Sequence, residues 1–409
     1  MSAPPTQLTP QMLMNPYPLY AALRETAAVQ KVEALLGAYV ISRHEHIGPV
    51  LKNTAVFSSV LTGINGLMSK ELGEDVLRYF RPENNLIASD PPLHTRLRTL
   101  VSRAFTPRRI AELEPRIREL SRELIDAMLA REEFDLISDL AAPLPVIVIA
   151  EMLGIEPERR LDFKRWSDNV IQVLATVGDM GTDMARVGAG LRELHTYLEG
   201  AIEQRRRAPR SHDLISALIE ASASEGGLLS TVELIGFVRL LLIAGNETTT
   251  HLIGNGTVAL LRHPAEMARL AAEASLIPNA VEEMLRYDGP VQAILRVTTR
   301  DTEVAGHPIP KDSRVMLLIG AANRDPRKFP EPDRFDATRD TQGQLGFGHG
   351  IHFCLGAPLA RLEAKVVFEE IFRRARSLSF APGHENRIPW SDTFMVRGPK
   401  ALRLRAERR

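Results

Sequence analysis

From Ser230 to Arg262 the sequence commits to a single strut. Ser230–Glu233 reads STVE, the spacing of a capping box, in which a serine hydroxyl and a glutamate carboxylate each satisfy a backbone N–H of the first turn. His263-Pro264 supplies the stop, because proline has no N–H to donate and clashes with the preceding turn. The pattern predicts one helix from there to Arg262, about 48 Å long at 1.5 Å per residue. A helix of that length crosses a whole domain, so the remaining chain must pack around it.

The flanking sequence agrees with a helix-rich fold. Residues 15–27, NPYPLYAALRETA, read as a turn and a short helix. Val29 to Val32 and Ala38 to Ser42 read as short strands, and HEHIGPVLKN as the start of another helix. From Leu61 to Ser89 the pattern is irregular and glycine-rich, the kind of long loop that carries function. Amphipathic helix dominates from Pro92 to about Arg131, and more helix follows through Arg205. Gln204 to Asp213, QRRRAPRSHD, reads as a basic loop within one domain. Strand signals cluster near Arg296–Ile319 and again in the last thirty residues. The expected fold class is mainly α with small β-sheets, as a single domain over residues 1–409.

At 409 residues the chain easily buries a core. Basic and acidic residues balance at 51 each, so nothing global argues for nucleic acid or an anionic membrane as partner. One cysteine excludes an intrachain disulfide framework and suits a reducing compartment. The N-terminal MSAPPTQLTPQ lacks a basic n-region and an apolar h-region. No apolar run approaches the ~20 residues that span a bilayer. The expectation is a cytoplasmic protein without a membrane anchor.

That one cysteine lies in FGHGIHFCLG, Phe347 to Gly356. Most free cysteines are small buried hydrophobes, but the glycines at 346, 348, 350 and 356 disfavour strand and helix and let backbone approach something large and flat. The following APLARLEAKVVFEEIFRRA is strongly helical, so Cys354 stands before a helix N-terminus, where the dipole and free N–H groups favour a thiolate. Such a thiolate is a nucleophile or a metal ligand. Zinc would need companion ligands at short spacing, and there is no second cysteine. A haem iron takes one axial thiolate with no other protein ligand on that face.

FGHGIHFCLG resembles the haem-binding motif of the cytochrome P-450 family, Phe-x-x-Gly-x-(Arg/His)-x-Cys-x-Gly, with Phe347, Gly350, His352, Cys354 and Gly356 at the fixed positions. The resemblance implies that Cys354 is the axial, iron-binding ligand of haem b (iron protoporphyrin IX), with Phe347, Gly348 and Gly356 beside the cofactor and His352 close to a propionate. LLLIAGNETTT, Leu240 to Thr250, is similar to the family's (Ala/Gly)-Gly-x-(Asp/Glu)-Thr oxygen-activation motif. It implies Ala244 and Gly245 facing the haem, Glu247 as proton-delivery acid and Thr248 as the hydroxyl that steadies dioxygen. By helix propensity alone Gly245 costs about 1 kcal/mol relative to alanine, and Glu247 in an apolar stretch is costly unless something needs it.

Glu283 and Arg286 stand at i,i+3 in VEEMLRYDGPV. In isolation they read as a surface ion pair; in this company they resemble the family's Glu-x-x-Arg, a structural pair that Arg334 of PDRF joins. His94 and Arg98 share a helical face in PPLHTRLRTLV, and Arg296 follows Gly289-Pro290 in an extended segment; each falls where the family places a propionate ligand. The resemblance spans roughly residues 15 to 405 and implies the family's fold, with haem between the long helix and the cysteine loop.

It further implies a monooxygenase that hydroxylates a hydrophobic small molecule with O2. Its electrons would come from a ferredoxin and ferredoxin reductase, since the chain has no flavin, nicotinamide or iron–sulfur motif, and it would work as a monomer. Arg103, Arg108, Arg109, Arg361, Arg373 and Arg374 are candidates for docking an acidic ferredoxin. A peroxide-driven peroxygenase is the nearest alternative, but such members replace the acid–threonine pair kept here. A cysteine-nucleophile hydrolase with His352 as base predicts a colourless protein. A non-catalytic haem carrier or gas sensor leaves Glu247-Thr248 unexplained. Substrate-pocket candidates are the 61–88 loop, helical residues around 165–190, Leu240, Ile243, Ala244, Ile294, Met395 and Val396, mostly apolar and non-aromatic.

Overall fold

The strut forms as one helix, Thr231–Arg262. The computed structural model describes residues 7–60, 74–77, 79, 81, 85–175, 184–210, 213–223 and 229–409. The capping box closes as its spacing predicts. Ser230 N–H donates to Glu233 Oε2 at 2.8 Å, and Glu233 N–H donates to Ser230 Oγ at 3.2 Å.

The chain divides into two compact units, one of residues 1–58, 111–144 and 248–409, the other of residues 59–110 and 145–247. The boundary runs through the long helix, between Glu247 and Thr248. All strands among the described residues belong to the first unit: β1 (Val29–Val32), β2 (Ala38–Ile41), β3 (Phe57–Ser58), β4 (Glu133–Asp135), β5 (Ala293–Thr298), β6 (Thr302–Val304), β7 (His307–Ile309), β8 (Arg314–Leu318), β9 (Ala375–Phe380) and β10 (Arg403–Arg408). They form a five-stranded sheet in the order β1-β2-β8-β5-β3, a three-stranded sheet β4-β10-β9 and the hairpin β6-β7. In the larger sheet β2 and β8 pair in parallel and the other neighbours antiparallel. The second unit is helical, with Leu93–Ala104, Arg160–Ala175, Met184–Arg207 and Leu214–Ala223 beside the first half of the long helix.

In the first unit, Leu252, Ala259 and Leu260 of the long helix pack with Val281, Met284 and Leu285 of the helix Ile277–Asp288 and with Ala364 and Phe368 of the helix Ala357–Arg374. Each fully buried Leu or Phe contributes roughly 1.5–3 kcal/mol. This three-helix core fixes the helix that follows the cysteine loop. A second core joins the sheet residues Ile41, Phe57, Val315 and Leu317 to Ile47, Val50 and Leu51 of the helix His44–Lys52.

Three local readings differ from the structure. Gln204 to Arg207 are the last turn of a helix, so only the segment after them is loop. β4 interrupts the run read as helix, because Phe134 pairs with Leu404 from the far end of the chain. β9 follows the Ala357–Arg374 helix directly and precedes the stretch where strand was expected. Both missed strands are made by pairing with β10, at the far end of the chain, and β4 is only three residues long. Of the loop expected from Leu61 to Ser89, residues 61–73, 78, 80 and 82–84 lie outside the described residues. Within it Glu74–Leu77 is helical and Leu86–Ala88 forms a 3-10 turn.

Candidate active site

The long helix is buried through most of its length, with one open stretch. Between Leu240 and Thr248 the accessible positions are Leu240, Leu241, Ile243, Ala244, Gly245, Glu247 and Thr248, while Leu242 and Asn246 are buried. Leu240, Ile243, Ala244, Glu247 and Thr248 stand at i, i+3, i+4, i+7 and i+8, one face of a helix. Ala244, at its centre, is exposed. An acid, a hydroxyl and apolar side chains therefore share one open face of an otherwise enclosed helix. Burial raises the Glu247 carboxyl above the usual carboxylate range, so it keeps its proton closer to neutrality.

Around the open face the helix is held by contacts with its neighbours. Gly245 meets the helix Pro143–Met152, where an added Cβ would stand 2.7 Å from Ile149 Cδ1. Close approach of two helices thus accounts for that glycine. Asn246 Nδ2 donates to Ser167 Oγ at 3.0 Å, both buried, which pins the helix to Arg160–Ala175. Thr250 Oγ1 donates to the Ala141 carbonyl at 3.0 Å. The oxygen-activation motif leaves position 246 variable, so nothing local marks Asn246, whose buried hydroxyl partner is 79 residues away.

Sequence reasoning also passes over Glu363. It is fully buried on the helix Ala357–Arg374, its carboxylate accepts a hydrogen bond from the Thr249 hydroxyl, and burial pushes its pKa up to about 8. The one available signal is a glutamate at a core position of an amphipathic helix.

Cys354 lies where a thiolate was expected, three residues before the helix Ala357–Arg374 and partly exposed. Its N–H donates to the Phe347 carbonyl at 3.0 Å, and its own carbonyl accepts from Ala357 N–H at 3.4 Å. Gly350 has φ +74° and presses on the helix His44–Lys52, where a Cβ would come within 2.8 Å of the Leu51 carbonyl. Gly348 has φ +71°, and a Cβ there would stand 3.9 Å from Ile294 Cδ1. A side chain at either position would strain the loop. Gly356 ends the loop as the N-cap of the helix.

β5 carries Ile294 and Arg296, partly exposed and buried respectively. Gln292 N–H donates to the Met395 carbonyl at 2.9 Å, and Val291 pairs with Val396. Ile294, Met395, Val396 and Gly348 are thereby brought into one neighbourhood of the first unit. His94 and Arg98 occupy the helix Leu93–Ala104 of the second unit. His94 is buried, and desolvation, then the Arg98 charge, hold its pKa below the ordinary histidine value. A neutral imidazole and a cation thus stand one turn apart, a donor set suited to carboxylates.

Glu283 and Arg286 are a buried pair. Arg286 Nε donates to Glu283 Oε2 at 2.6 Å and Nη2 to Oε1 at 2.8 Å, with both side chains inaccessible. Arg286 Nη1 donates to the carbonyls of Asn323 and Pro332 at 2.9 and 3.0 Å. The expectation that the Arg334 side chain joins this network is corrected. That side chain is exposed and pairs with Glu331 and Asp336, while its carbonyl accepts from Arg286 and Arg339. Arg339 supplies the second guanidinium, with Nε 3.1 Å from Glu283 Oε1. The side chain of Arg334 points to solvent because two nearby carboxylates neutralise it there.

The model of the family described as cytochrome P450 matches residues 49–403. The cytochrome P450 monooxygenase PikC of Streptomyces venezuelae is 39% identical over 96% of this chain and 92% of its own length. The vitamin D(3) 25-hydroxylase of Pseudonocardia autotrophica is 42% identical over 94% of this chain and 92% of its own. The solved structure of cytochrome P450 CYP109Q5 from Chondromyces apiculatus superposes with a TM-score of 0.88 at 43% identity, covering 98% of this chain and 97% of that one. On this likeness in sequence and in fold, the chain belongs to the cytochrome P450 family and is a monooxygenase, an oxidoreductase acting on small molecules.

Proposed function

We propose that this protein hydroxylates a medium-sized hydrophobic molecule with O2, using haem b held by the Cys354 thiolate. The observation that carries the reading is the open face of the long helix, where Leu240, Ile243 and Ala244 adjoin Glu247 and Thr248. The donor chemistry fits the cofactor. A lone partly exposed cysteine precedes a helix N-terminus, Gly348 and Gly350 take loop conformations that a side chain would strain, and His94, Arg98, Arg296 and His352 are of the types that meet propionates. Bound there, the haem would supply the oxidising power, with the thiolate donating electron density to it.

The chain's own residues supply position and protons. Burial raises the pKa of the Glu247 carboxyl, which favours its protonated form and suits it to pass a proton toward the open face. The Thr248 hydroxyl, next in sequence, orients that transfer by donating and accepting in turn. Leu240 and Ile243, on the helix face that carries Glu247, offer apolar surface that would exclude water and favour an apolar substrate. That a relative is a vitamin D(3) 25-hydroxylase supports a substrate of that size and polarity.

Electrons come from a ferredoxin and its reductase. Of the arginines considered for docking, Arg361 is already paired with Glu282, and Arg373 and Arg374 with Glu370. The protein is cytoplasmic; no helix among the described residues is long and apolar enough to cross a membrane.

The deciding experiment is a screen of apolar compounds against the purified haem protein for a low-to-high spin shift, followed by turnover with a ferredoxin system. Spin-shifting compounds that return hydroxylated establish the reading. A colourless protein, or binders that are never oxidised, would overturn it.

A further inference from the structure

The helix Ile277–Asp288 carries two adjacent carboxylates, and only Glu283 has a part in the buried pair. Glu282 turns toward the cysteine loop instead. It accepts from Arg361 Nε and, at 3.0 Å, from Arg361 Nη2, and from Gln344 Nε2 at 3.1 Å. Gln344 Oε1 in turn accepts the Gly346 N–H at 2.5 Å. Arg361 lies on the helix Ala357–Arg374, its guanidinium carbon over the Phe347 ring at 4.6 Å from the centroid. The Phe347 carbonyl is the acceptor for the Cys354 N–H.

We infer that Arg361 is a positioning residue for the Cys354 sulfur, acting through Phe347. Two hydrogen bonds to one carboxylate hold the guanidinium, and its central carbon stands over an aromatic ring. The ring then has a wall on one side, and its backbone carbonyl holds the cysteine N–H from the loop's far end. Between Phe347 and Cys354 the loop also packs through Gly350 against the helix His44–Lys52. The loop's one helical turn, Gly350–His352, is three residues long, so an anchor on Phe347 acts directly on the cysteine. Lysine cannot replace this arrangement, because an ammonium neither stacks flat nor forks to a carboxylate.

The inference rests on Cys354 being the haem ligand, and the test separates the two. Parent, Arg361→Lys, Arg361→Gln and Lys365→Gln proteins are purified with haem, reduced and exposed to carbon monoxide. The Soret position reports the fraction with thiolate ligation, and its decay is followed alongside far-UV circular dichroism. Lys365 is the control, on the same helix but paired with Glu114 and Glu369. Both Arg361 variants should lose thiolate ligation roughly tenfold faster than the parent, the scale typical of residues that orient a metal ligand, while circular dichroism stays constant and Lys365→Gln matches the parent. Parent-like decay in both Arg361 variants, or decay only in step with lost helicity, overturns the inference alone. A parent protein without a thiolate-type Soret band overturns the haem-ligand reading and the inference with it.

Discussion

Arg339, 56 residues from Glu283 in sequence, places its Nε 3.1 Å from Glu283 Oε1 and makes a triad of the buried Glu283–Arg286 pair. The Asp336 N–H adds a fourth donor to the same carboxylate, also at 3.1 Å. A carboxylate sealed from water is tolerated only when its lone pairs are filled, and these contacts fill them.

Removing one partner of that site leaves charge buried and unpaired, which costs about 3–5 kcal/mol. Arg286→Ala is therefore expected to lower the urea midpoint severely or abolish folding. Arg339→Ala should cost less, because its side chain is partly exposed and water can replace it. Arg334→Ala should stay within about 0.5 kcal/mol of the parent, as for most exposed pairs. An Arg334 variant as damaging as the Arg339 variant would refute this ranking.

Gly245→Ala sets helix propensity against packing. Alanine favours the helix by about 1 kcal/mol, whereas forcing a methyl to 2.7 Å from Ile149 Cδ1 costs about 1–3 kcal/mol. The variant should be destabilised, and Gly245→Ala with Ile149→Val should recover part of the loss, since valine lacks the clashing methyl. Denaturant midpoints for the full double-mutant cycle give the coupling, expected to be favourable.

Glu363 makes stability depend on pH. Its folded pKa, about 8, exceeds its unfolded value of about 4.5. Its contribution is fully present below pH about 4.5 and is lost as pH rises through about 8, at about 1.4 kcal/mol for each pH unit between the two values. Glu363→Gln keeps the size and removes the titration. Unfolding free energies measured between these limits should slope less steeply in the variant than in the parent. Parallel curves would show that this carboxyl does not titrate across the range.

The acid and the hydroxyl of the open face should separate in their effects. Thr248→Ala is expected to keep haem binding while product per electron falls on the order of tenfold, the balance appearing as hydrogen peroxide. Glu247→Gln should slow turnover on the order of a hundredfold, with substrate-induced spin shifts unchanged. Full coupling in the threonine variant, or full rate in the glutamine variant, would remove the corresponding role.

What sequence alone determined was local and periodic. The capping box and His263-Pro264 set both ends of the long helix, since caps and prolines act within one turn. FGHGIHFCLG marked the cysteine loop before its helix, and LLLIAGNETTT showed an acid and a hydroxyl beside small residues in an apolar helical stretch. Tertiary structure decided whatever depends on partners far along the chain. It separated Arg339 from Arg334, made strands of Glu133–Asp135 and Ala375–Phe380, buried Glu363 against Thr249, and turned Arg361 from a surface charge into a paired side chain over an aromatic ring. None of these is periodic. Each is a matter of which distant group fills a lone pair or covers a ring, and only the folded chain brings those groups together.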